Sequence, residues 1–146
     1  MFPMIAKVAR MFSRLWKLPR LIRWHRGLLS AADDRDWAEV IRLGSYLHSN
    51  DLVSRQSRFL VGTAYLHVGD PEAAVRELAS MEGRLRDDED EARRHLNHAI
   101  ALHALFRSSE AATLLRAQVS DRWPTQELEK ARSMLDEIGH LAVPLQ

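Results

Sequence analysis

The stretch SRFLVGTAYLHVGDPEAAVRELASM, residues 57–81, constrains the fold more than any other part of the chain. Leu60, Thr63/Ala64 and His67 recur at helical spacing before Gly69-Asp70-Pro71 interrupts the pattern. Asp70 can cap a second helix that has Pro71 at its first position and Glu72 in its first turn. Ala74, Val75 and Leu78 then form an apolar stripe, and Gly62 and Ala74 are small where the two helices would cross. The expectation is a helical hairpin. Nowhere does the chain show convincing strand alternation, so the whole reads as all-α.

The hairpin repeats. Shifting by 34 sets Arg35-Asp36-Trp37-Ala38-Glu39-Val40-Ile41 under Gly69-Asp70-Pro71-Glu72-Ala73-Ala74-Val75. A shift of 38 sets Glu110-Ala111-Ala112 under Glu72-Ala73-Ala74, and the acidic linker RLRDDEDE is expected to absorb the four extra residues. Such a unit buries its apolar face only by stacking on neighbours. A plain helical bundle with coincident spacing is the competing reading.

With that period, residues 21–139 resemble the tetratricopeptide repeat family. Gly62, Tyr65, Gly69 and Ala74 of unit 2 (55–88) occupy positions where the family prefers Gly, Tyr, Gly and Ala. Unit 1 (21–54) has Trp24 at the aromatic position. Unit 3 (about 93–126) keeps Ala112 and Pro124 but carries Ile100 and His103 where Gly and Tyr are expected. The last helix, TQELEKARSMLDEIGHL, would cap the stack, with Thr125 as N-cap and Gly139 near its end. The expected architecture is a short α-solenoid of antiparallel hairpins over 20–146, preceded by an amphipathic helix over 1–19 that Pro19 interrupts.

Charge divides the chain at the same place. Residues 1–30 hold seven Lys/Arg and no acid, whereas the rest sets 14 Lys/Arg against 20 Asp/Glu, so a net charge of +1 conceals a basic arm on an acidic body. At 100° per residue, Lys7, Arg10, Arg14 and Lys17 share one arc of about 80°. Met4, Ile5, Val8, Met11, Phe12, Leu15, Trp16 and Leu18 fill the opposite side. A basic amphipathic helix of this kind lies in a bilayer interface, each cation adding about 1 kcal/mol near anionic lipid. The same apolar face could instead pack on a partner protein or cover the first hairpin. Cations every three or four residues deny the arm the apolar run of a secretory signal, whereas a mitochondrial presequence shares its pattern. No base-reading motif accompanies the arm, so nucleic acid is not an expected partner. The expected location is cytoplasmic and peripheral at a membrane.

Reactive chemistry is sparse. There is no Cys, no GxSxG, no phosphate-cradling Gly-rich loop and no paired-carboxylate motif, so no enzyme and no cofactor are expected. His95 and His98 share a helix face while His103 turns away, which leaves zinc short of converging ligands. His67 and His140 have no partner at useful spacing. Asp87–Glu91 reads as the acidic first turn of a helix, with Glu89–Arg93 and Asp90–Arg94 as i, i+4 pairs.

What remains is recognition. The tetratricopeptide resemblance implies that the first helices of the hairpins line a concave groove for a peptide or amphipathic helix. Its lining would come from Gln56, Phe59, Leu60, Thr63, Leu66 and His67, then Arg94, Asn97, His98 and Ala101. At the family's carboxylate-holding positions stand His25, Leu29 and Leu60, with only Arg94 and His98 suited, so the lining favours an amphipathic segment. Phe59 and Leu60 serve equally well as core residues.

Overall fold

A computed structural model describes the backbone over residues 2–141 and the side chains over residues 18–141. Among the described residues the chain is all-helical, without strands. The helices are α1 (Phe2–Asp33), α2 (Trp37–Ser49), α3 (Arg55–His67), α4 (Pro71–Ala79), α5 (Asp88–Ala104), α6 (Ser108–Gln118) and α7 (Thr125–Ile138), followed by a 3-10 turn at Gly139–Leu141. Each helix packs on the next, and α1, α3, α5 and α7 also touch in series. The molecule is thus a row of hairpins, α1/α2, α3/α4 and α5/α6, closed by α7.

One turn design builds all three hairpins. Arg35, Gly69 and Phe106 hold positive φ of 57°, 83° and 60°. The N–H after each donates to a carbonyl five residues back: Asp36 to Ala31, Asp70 to Tyr65 and Arg107 to Leu102, all at 2.9 Å. The N–H of the positive-φ residue itself donates three residues back, to Ala32, Leu66 and His103. This pair of bonds is the Schellman motif. In the first two hairpins the next residue is an Asp that caps the following helix: Asp36 accepts from Glu39 N–H and Asp70 from Ala73 N–H. In the third, Arg107 offers no side-chain cap.

Close approach at two glycines sets the packing. A Cβ on Gly44 of α2 would collide with Val61 of α3, and one on Gly62 of α3 would lie 2.7 Å from Leu78 Cγ of α4. The apolar interior follows the hairpins. Leu28, Val40, Leu43 and Leu47 close the first against Val61 and Ala64; Phe59, Leu78, Met81 and Leu85 fill the second. Leu96, Leu102, Leu115, Trp123 and Ile138 fill the third, together with α7.

Several expectations need correction. No break occurs at Pro19, since α1 runs unbroken through it. Proline removes one backbone donor, a local loss in a 32-residue helix that is anchored downstream by the fully buried Leu28. The insertion in the third unit is not in the acidic linker. Thr63 and Asn97 pair across 34 residues, whereas the cap positions Asp70 and Arg107 lie 37 apart, so three residues were added to the end of α5. Three residues are nearly a full helical turn, which keeps the buried face in phase. Thr125 is the first residue of α7, with Pro124 at the cap position and no side-chain cap bond. Arg93 pairs with Glu89 as expected, but Arg94 turns to Glu91, and Asp90 accepts from Gln56 instead.

Candidate functional site

The face shared by α1, α3, α5 and α7 is organised by polar rungs between successive first helices. Gln56 Nε2 donates to Asp90 Oδ2 at 3.2 Å and Asn97 Nδ2 donates to Thr63 Oγ1 at 3.1 Å, linking α3 to α5. Arg93 Nε donates to Glu127 Oε1 at 3.0 Å, linking α5 to α7. Each rung joins residues 34 apart, so the repeat period is expressed as side-chain chemistry. Between α1 and the start of α3, His25 contacts the Ser54 hydroxyl through Nε2 at 3.0 Å and the Leu21 carbonyl through Nδ1 at 3.1 Å. A neutral ring protonated on Nδ1 satisfies both bonds.

Gln56, Thr63 and Asn97 thus lie together on this face. Leu60 and Leu66 are half-buried, with Leu60 packing against two core clusters. His67 is exposed at the end of α3, where it stacks on Trp37 at 4.3 Å. Arg94 is half-buried and committed to the fold: it donates to the Gly83 and Met81 carbonyls and pairs with Glu91. His98 is half-buried, and burial, reinforced by His95, Arg94 and Arg107 nearby, pushes its pKa down to about 4. Phe59 and Ala101 are not lining residues. Phe59 turns into the second hairpin against Leu78, Met81 and Leu85, and Ala101 is fully buried. In the third unit the difference comes from the offset used. Counting the third unit at 34 aligns Gln56 and Thr63 with Asp90 and Asn97, and so finds both rungs directly.

His95 is buried beside Trp123 and 3.1 Å from Glu91 Oε1. Burial lowers its pKa, and Glu91 only partly opposes that. Burial alone would raise the Glu91 pKa, but the Leu85 N–H and the charges of Arg94 and His95 outweigh it and leave it lowered. His103 instead contacts Ser108 in solvent. Among the described residues no group of three His, Asp or Glu converges as a metal would require.

Three of the exposed large apolar side chains lie on α1. Leu18, Ile22 and Leu29 are 46%, 47% and 46% exposed. Leu18, Leu21, Ile22 and His25 wall a groove of about 520 Å³ with Asp51–Ser54 opposite. The expected contact residues Lys7, Arg10, Met11, Phe12, Arg14, Leu15, Trp16 and Lys17 lie outside the described side chains. Among the described residues no helix is long and apolar enough to cross a membrane. No family model, curated protein or solved structure matches the chain. The fold therefore defines a class, an all-helical row of hairpins, and the residues themselves carry the rest of the argument.

Proposed function

We propose that the chain is a non-enzymatic adaptor or scaffold of tetratricopeptide-like hairpins, attached peripherally to a membrane surface by its N-terminal basic helix. The observation that carries this reading is the exposed row Leu18, Ile22 and Leu29 on α1. Counted from Lys7, these residues fall at about 20°, 60° and 40°, the side of the helix on which the sequence sets the apolar residues of 4–18. One helix therefore offers an apolar strip that runs from the basic arm into the repeat body. The α3–α5 face beside it, with its polar rungs and half-buried Leu60 and Leu66, suits an amphipathic helix or peptide as partner. Flotation with anionic vesicles tests the membrane contact. The full chain is expected to float, and Phe12→Asp with Trp16→Asp is expected to stay at the bottom of the gradient. Equal flotation of both proteins would reject the membrane reading.

A second reading follows from the groove between Leu18–His25 and Asp51–Ser54, which fits discrete side chains better than a flat bilayer. In it, the N-terminal half of α1 docks on a protein within a larger assembly. The same double variant would then lose the assembly, while the wild-type chain would not float.

A further inference from the structure

We infer that the outer face of the first hairpin is an interface between two copies of this chain, related by a two-fold axis through Gly27. A groove of about 670 Å³ runs between α1 and α2, and no residue of a later hairpin lines it. Its floor is apolar. Leu43 and Ala31 are buried in it, and Trp24 stacks on Tyr46 with ring centroids 3.8 Å apart. In a row of hairpins this is the end that a preceding helix would cover.

What selects the occupant is the order of charges along α1. Arg20 and Arg23 stand at one end of the groove and Asp34 and Asp36 at the other. Arg42 is held by Glu39 at 2.6 Å, and Asp36 caps α2, so Arg20, Arg23 and Asp34 are the charges left to meet a partner. Arg20 and Asp34 lie seven residues on either side of Gly27, two helical turns and about 10 Å each way. A second α1 laid antiparallel across Gly27 therefore sets each Arg20 against the partner copy's Asp34. It also sets each bulky Trp24 against the small Ser30 of the other copy. A parallel copy would oppose like charges. Exposed ion pairs add little affinity but fix register and direction, while the half-buried Trp24 and Tyr46 supply the apolar contact. The interface stands apart from the membrane and groove readings, and neither needs the other.

The chain lacks Cys, so Gly27→Cys in the full-length protein reports directly on the axis. Under mild oxidation it should form the disulfide dimer at least about tenfold faster than Leu29→Cys, because pairing raises the local thiol concentration. Leu29 lies about 200° around α1 from Gly27 and serves as the control. By light scattering the wild type should weigh twice one chain. Arg20→Asp alone and Asp34→Arg alone should each weigh one chain, and an equimolar mixture of the two should recover the dimer. Both positions are exposed, so the fold should survive either reversal. A monomeric wild type, equal oxidation of the two Cys variants, or a dimer indifferent to both reversals would overturn the inference.

Discussion

Arg93 on α5 reaches Glu127 on α7 through a 3.0 Å hydrogen bond, although Arg93 is exposed and the Glu127 residue is only 3% exposed. A carboxylate so enclosed is tolerated because a cation meets it there. Arg93→Ala should cost about 1–3 kcal/mol, since it leaves a buried acceptor without its charged donor. Glu127→Gln, which keeps an acceptor oxygen, should cost less. Urea denaturation of the two variants would show the order, and an equal cost would mean that packing alone holds α7.

The Schellman turns inside the three hairpins make a second comparison. Gly69 adopts φ of 83° without strain, but Arg35 and Phe106 adopt 57° and 60° with a Cβ in place. Phe106 is also 97% exposed, so burial returns nothing for the strain. Phe106→Gly should stabilise the protein by about 1 kcal/mol, the left-handed strain relieved exceeding the chain entropy that glycine adds. Gly69→Ala should destabilise by a similar amount. Thermal unfolding measures both, and a loss on Phe106→Gly would assign Phe106 a packing role.

Arg107 stands where Asp36 and Asp70 cap their helices, so Arg107→Asp should add a cap to α6. The cap contributes about 1 kcal/mol, more than the solvent-screened Arg107–Glu110 pair that it replaces. A higher urea midpoint with an unchanged slope is the expected signature.

Acid should weaken the fold before the carboxylates titrate. His98 has a folded pKa of about 4 against an ordinary 6.5, and that of His95 is also lowered. As pH falls from 6.5 toward 4, the unfolded chain binds protons that the folded chain refuses, so stability drops across that window and is complete above it. Half-burial makes about 3 kcal/mol an upper bound for His98. Unfolding free energies at pH 7.5 and pH 5 should differ less in His98→Gln than in the wild type.

Much of this architecture is visible in the order of residues. Gly69-Asp70-Pro71 announces a turn and a cap because Gly, Asp and Pro each have a narrow backbone role. The same turn at Arg35 and Phe106 is hidden, because neither residue favours positive φ; the 34-residue alignment exposes it at Arg35 alone, since Phe106 lies 37 residues after Gly69. The third unit misleads for a related reason. Ala111 and Ala112 align well with a linker insertion, and composition cannot tell three residues in a linker from three residues in a helix. Phe59 is equally suited to core or groove until Leu78, Met81 and Leu85 close around it. The rungs are the least legible feature, since a Gln–Asp or Thr–Asn pair acquires meaning only from a known register.

The continuity of α1 through Pro19 has a mechanical consequence. A flexible tether would pass on distance alone, but a helix is a shaft that also transmits rotation. Each residue added ahead of Leu18 would advance the repeat body by about 1.5 Å and turn it by about 100° relative to whatever grips the N-terminal half. The azimuth of the α3–α5 face is thereby set by residue count. A one-residue insertion at this junction should misaim that face, and an insertion of seven, close to two whole turns, should nearly restore its bearing.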